Sequence, residues 1–126
     1  MEYTHTPLII VGIECNHSPD NGRLKEYAPF SFYDARCGSI AAKGAITMDW
    51  MVHTLKPQID RDLRTLSDRE HTFIAGSSMG GLMSLYAVAQ YNSVFWSEQR
   101  HCLRLYGQMS TNWNSSSAGQ RSGRIQ

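Results

Sequence analysis

Ten consecutive residues, Phe73-Ile74-Ala75-Gly76-Ser77-Ser78-Met79-Gly80-Gly81-Leu82, constrain this chain more than any others. An apolar run enters a Gly-x-Ser-x-Gly turn and leaves it as an amphipathic segment. His71-Thr72-Phe73-Ile74-Ala75 reads as a short strand, and Leu82, Leu85, Tyr86 and Ala89 recur at helical spacing. A sharp strand-to-helix turn forces unusual backbone angles and close packing, so Gly76 and Gly80 are expected to need the absence of a side chain. Such a turn holds Ser78 clear of the backbone. That matters because a serine hydroxyl is a weak nucleophile unless it is exposed beside a base. The Met79 N–H would face a developing oxyanion, with the positive end of the helix behind it. Composition alone yields this pattern in roughly 4% of chains of this length, so the strand and helix around it carry the reading.

At 126 residues the chain is one domain at most. Its net charge of +1 and 18% charged residues give no argument for nucleic acid or a membrane surface as partner. The longest apolar run, residues 8–13, is too short to span a bilayer. Residues 1–7 are polar, and the apolar run lacks a basic flank and a cleavage site, so no signal peptide is expected. Cys15, Cys37 and Cys102 are odd in number and widely spaced. They suggest reduced thiols and a cytoplasmic setting rather than a disulfide framework.

Residues 8–13, Leu-Ile-Ile-Val-Gly-Ile, are expected to form a strand buried on both faces of a parallel sheet. Residues 14–38 read as a long loop, with Pro19, Asp20-Asn21-Gly22 and Pro29 as turn signals. Tyr27, Phe30, Phe32 and Tyr33 in it would either line a substrate cleft or pin the loop to the body. Met48, Met51, Val52, Leu55, Ile59 and Leu63 then make one apolar helical stripe, which Pro57 should kink. The order strand, loop, helix, strand, helix predicts an α/β protein with a parallel sheet and flanking helices.

With these pieces in place the chain resembles the putative-esterase family of α/β-hydrolases, which includes enterochelin esterases, feruloyl esterases and S-formylglutathione hydrolases. The resemblance rests on Ile10-Val11-Gly12-Ile13, Leu55-Lys56-Pro57-Gln58-Ile59-Asp60, Arg64-Thr65-Leu66, the turn from Ile74 to Leu82, Ser84-Leu85-Tyr86 and Val94-Phe95. It implies a partial α/β-hydrolase fold whose Gly76–Gly80 turn is the nucleophile elbow. It further implies hydrolysis of small-molecule carboxylic esters through an acyl-serine, with Ser78 as nucleophile, the Met79 N–H as one oxyanion donor, and neither metal nor organic cofactor. An acyltransferase on the same fold is a further reading.

The chain also departs from that pattern. The fold supplies its acid and its histidine after the serine. The only acidic residue beyond Ser78 is Glu98, and the only later histidine is His101. They lie three residues apart, whereas the family sets these groups on separate, later loops, so Glu98 and His101 do not meet the geometric role. His5, His17, His53 and His71 precede the elbow and lack metal-ligand spacing. The resemblance also implies an earlier strand that this chain does not carry. Its flanking strands would have to pair directly or borrow a strand from another copy, so homo-oligomers are expected.

Residues 1–95 thus read as a partial core. Residues 96–126 are an atypical Ser/Arg-rich tail, with Arg100, Arg104, Arg121 and Arg124 against Glu98 alone. The tail is either disordered or translated out of frame. Codons chosen for Trp96 onward, read two bases later, encode Glu-Arg-Ala-Thr-Ser-Leu-Ser-Pro-Ser-Ile-Trp, and the family follows its elbow helix with a strand of this kind. The expected activity is accordingly weak or absent, and the alternative is a non-catalytic, self-associating module that keeps the elbow.

Overall fold

The computed structural model describes residues 7–96. Four α-helices and one hairpin follow in order: α1 (Gly22–Glu26), β1 (Phe32–Asp34), β2 (Gly38–Ile40), α2 (Gly44–Trp50), α3 (Lys56–Asp62) and α4 (Met79–Gln90). A π-helical turn, Met51–Leu55, joins α2 to α3, and a 3₁₀ turn, Arg69–His71, precedes the elbow. No described helix is long and apolar enough to cross a membrane.

The stretch expected to be a loop carries α1 and the hairpin. Asn21 takes a left-handed conformation (φ 65°) and starts α1. Asp20 and Lys25 lock that start, with Lys25 Nζ 2.7 Å from Asp20 Oδ2 and Ser18 Oγ donating to Asp20 Oδ1. In the hairpin Phe32 lies opposite Ile40, Tyr33 opposite Ser39 and Asp34 opposite Gly38, antiparallel. The Asp34 carboxylate accepts from the N–H groups of Arg36 (2.8 Å) and Cys37 (3.2 Å), and Gly38 at φ 76° completes the reversal. Of the four loop aromatics, Tyr27 packs on the core and Phe30 meets Tyr86 edge-on with ring centroids 6.5 Å apart. Phe32 is half-buried, while Tyr33 is exposed.

The expected parallel sheet does not form among the described residues, where the only sheet is the antiparallel pair β1–β2. Residues 8–13 are exposed and have no ladder partner; their large side chains are 39–87% accessible. Residues 71–75 form the end of the 3₁₀ turn and a segment outside any sheet. The physical reason is that a strand is a pairing rather than a local conformation. Apolar, β-branched residues favour extension, but the ladder needs a second chain segment alongside.

The core is a methionine-rich cluster of Met48, Met51, Val52, Met83, Ala87, Val88 and Phe95, with Ile74, Tyr86, Tyr91 and Val94 packed against it. Helix α2 packs on both α1 and α4. Close approach requires Gly44: a Cβ there would lie 2.5 Å from the Ala28 carbonyl oxygen, which accepts the Gly44 N–H at 2.9 Å. On α4 the buried residues are Met83, Ala87 and Val88, while Leu82, Leu85, Tyr86 and Ala89 are half-buried, so apolar groups cover more than one face. The discontinuity expected at Pro57 takes the form of the π-helical turn ahead of it, which widens the backbone where the proline ring would meet the His53 carbonyl.

Beyond α3, Lys56 Nζ bridges Asp60 (2.6 Å) and the Ser67 carbonyl (2.9 Å), and Thr65 Oγ1 donates to Asp60 at 2.7 Å. This network fixes the approach to the elbow. After α4 the chain returns to the start of the elbow segment: the Trp96 N–H donates to the Thr72 carbonyl at 2.8 Å, and the Phe73 and Trp96 rings lie 5.6 Å apart.

The α1 lock should show in acid. Hydrogen bonds from Lys25 and Ser18 lower the Asp20 carboxyl from 3.8 to about 2. A depressed folded-state value gives a contribution that is full above 3.8 and disappears as pH falls toward about 2. Lys25→Met should return the Asp20 titration toward 3.8 by carboxyl-carbon NMR, and its stability deficit in urea should shrink across that window. An unmoved titration would show that the pair does not form.

Candidate active site

The elbow follows from local geometry. Ser78 sits at φ 55°, ψ −118°, the angles of the first central residue in a type II′ turn, a place that glycine normally takes. The Gly80 N–H donates to the Ser77 carbonyl at 2.9 Å and closes that turn, and the Leu82 N–H donates to the Ser78 carbonyl at 3.1 Å to begin α4. Helix and turn thus share residues, leaving no linker between them.

The glycine requirement falls differently from the expectation. A Cβ on Gly76 would lie 2.5 Å from the Gly80 carbonyl carbon and 2.6 Å from its oxygen. These are backbone atoms at the head of a helix and cannot yield cheaply. A Cβ on Gly80 would meet nothing within 4 Å among the described residues, whereas one on Gly81 would lie 3.1 Å from the Gly76 oxygen. Gly80 therefore serves as the surface on which Gly76 packs, and the steric demand rests on Gly76 and, more mildly, Gly81.

Ser78 occupies the N-cap position of α4 without capping it, because its side chain makes no hydrogen bond to the first turn. A serine there ordinarily bonds the N–H two or three residues on. With φ positive, the hydroxyl is turned away from that role. It is exposed and free of hydrogen-bond partners among the described residues. The Met79 N–H likewise has no acceptor among the described residues and stands at the positive end of a twelve-residue helix. The Ser78 hydroxyl and the Met79 N–H are thus adjacent and both without a partner among the described residues, an arrangement compatible with acyl transfer.

No described histidine bonds Ser78. His17 faces Glu14 at 3.1 Å, and His53 faces Asp49 at 3.0 Å with its ring against Tyr91. His71 presents Nδ1 to both oxygens of Asp68, at 2.7 and 2.9 Å, and this hydrogen bond is the main cause of Asp68's lowered pKa. The His71–Asp68 pair was not anticipated; its Asp-x-x-His spacing was the available signal. It braces the 3₁₀ turn at the start of the elbow segment. Glu98, His101 and His5 lie outside the described residues. A polar cleft of about 170 Å³ is lined by Asn16, Asp20, Lys25, Glu26, Lys43 and Thr47 among others, and includes no elbow residue.

Among the described residues the site is thus a glycine-packed turn that leads directly into a helix headed by an uncommitted serine. The family model described as "Putative esterase" matches residues 5–118, and the chain belongs to that family. Neither a curated protein nor a solved structure matches the chain.

Variants of the turn should separate in urea denaturation. Gly76→Ala should lose at least about 1–3 kcal/mol through overpacking against backbone. Gly80→Ala should fold and gain up to about 1 kcal/mol of helix propensity. Ser78→Gly, relieved of its positive φ, should gain about 1 kcal/mol. Equal losses in Gly76→Ala and Gly80→Ala would refute the assigned packing.

Proposed function

We propose that this member of an esterase family is a serine carboxylic-ester hydrolase by lineage, with Ser78 as nucleophile, and that the chain turns over esters slowly or not at all. The observation that carries the reading is the Ser78 backbone, held at φ 55° with its hydroxyl withheld from the helix it heads. A strained residue with an idle reactive group is what a nucleophile requires and what a structural turn would avoid.

In the reaction, the Ser78 oxygen bonds to the ester carbonyl carbon and its proton passes to a base. The Met79 N–H stabilises the tetrahedral oxyanion, and expulsion of the alcohol leaves an acyl-serine. Water then attacks that ester, and the acid departs as Ser78 regains its proton. The elbow supplies the nucleophile and one oxyanion donor. Because the described histidines are engaged with carboxylates elsewhere, the proton has no positioned base among them, and the expected cost is several orders of magnitude in rate. No cofactor enters this scheme. The same shortage of a base supports the second reading, an elbow-bearing module without turnover. The unpaired thiols of Cys15 and Cys37 support a cytoplasmic setting.

We further read residues 1–95 as a partial α/β core and residues 96–126 as translated out of frame. The family match crosses that boundary and runs to residue 118. The coding sequence tests the idea: codons from Trp96 onward should encode a family-like Leu-Ser-Pro-Ser peptide two bases later, and stops or unrelated sequence in that frame would end it.

The catalytic reading is tested with a fluorophosphonate probe and a short-chain aryl ester, beside Ser78→Ala. Slow, stoichiometric labelling that disappears in Ser78→Ala is expected, with ester turnover slight. Unchanged labelling in Ser78→Ala would remove Ser78 from the nucleophile role. Because the hydroxyl caps nothing, Ser78→Ala should unfold within about 0.5 kcal/mol of the parent, so a loss of labelling reports chemistry rather than folding.

A further inference from the structure

We propose that residues 8–13 pair with the same residues of a second copy, antiparallel across a two-fold axis, and that the protein associates through this pairing. The inference is independent of the catalytic reading. Three observations carry it.

No backbone N–H or C=O of residues 8–13 is bonded to a described residue, although all six residues are exposed and Ile10 is 87% accessible. Among the described residues the segment therefore presents an unfilled row of donors and acceptors, which is the template for strand addition. Its side chains are apolar or absent on both faces: Leu8, Ile10 and Gly12 on one, Ile9, Val11 and Ile13 on the other. It carries no charge and no internal proline, the devices that ordinarily blunt an open edge. A charged or polar partner finds nothing to bind there. An equally apolar strand with its own unfilled backbone does fit, and a second copy supplies one.

Charge sets the direction. Glu14 follows the segment at once and stays exposed beside His17. A parallel pair would set two Glu14 carboxylates side by side, whereas an antiparallel pair sends them to opposite ends. The two-fold axis passes through Ile10, which faces its own copy, and sets Ile9 opposite Val11 and Leu8 opposite Gly12, so that opposite side chains share a face. Each off-axis contact then occurs twice, as an isologous interface demands.

Sedimentation velocity over a dilution series of the full chain tests this. A concentration-dependent monomer–dimer equilibrium is expected. Ile10→Lys should weaken it at least tenfold without altering the circular dichroism, since Ile10 packs against nothing to speak of in one copy. Ile9→Lys and Val11→Glu should each weaken it likewise. An equimolar mixture of these last two variants should recover dimer, because the register sets positions 9 and 11 opposite one another. A monomer at every concentration, association unmoved by Ile10→Lys, failure of the mixture to recover, or assembly beyond the dimer would each overturn the proposal.

Discussion

Gly76 and the first turn of α4 meet backbone to backbone, with space for a hydrogen atom between them and for nothing larger. That contact sets where the helix begins relative to the segment entering it, and so sets the angle at which Ser78 is held. The core depends on it in turn. Helix α4 brings Met83, Ala87 and Val88 onto the methionines of α2 and the π-helical turn, and it returns the chain to Thr72 through Trp96. A side chain at one exposed turn residue would therefore be felt throughout the packed half of the molecule.

The elbow also shows two demands on one residue. As the N-cap of a twelve-residue helix, Ser78 could contribute about 1 kcal/mol by bonding the first turn. It does not, and its positive φ adds strain of order 1–3 kcal/mol. The surrounding geometry holds it there: the Gly80 N–H closes the turn, Gly76 packs beneath, and the Asp68–His71 pair and the Lys56–Asp60–Thr65 network tie down the approach. Stability forgone at one residue appears as two unspent groups, a hydroxyl and an N–H, at the same point in space.

The Gly76–Gly80 turn and the helix after it were legible in the chain because their determinants are local. Glycine at a fixed offset, an apolar approach and helical spacing beyond require no knowledge of distant residues. The long stripe from Met48 to Leu63 was only half legible. Met48, Met51 and Val52 are buried, but Leu55 and Ile59 are half-buried and Leu63 is exposed. The π-helical turn inserts one residue into the helical repeat, and one residue is about 100° of rotation, so the second half of the stripe turns away from the core. The strand expected at residues 8–13 does not form among the described residues: the apolar run was legible, but a strand partner was not, since pairing belongs to two segments at once. The Asp34 turn that makes the hairpin is a side-chain-to-backbone device that hydrophobic periodicity does not register. Which of Gly76 and Gly80 bears the steric demand could be told only with the helix in place.

The methionine core has a chemical consequence of its own. Met48, Met51 and Met83 are sealed at 0%, 8% and 2% exposure, so a peroxide in solution reaches their sulfur atoms chiefly when the packed half opens. Once a thioether there becomes a sulfoxide, its new dipole no longer fits the apolar interior and closure is impaired. Each brief opening thus risks becoming permanent, and the oxidation state of three sulfur atoms records how often the fold has breathed.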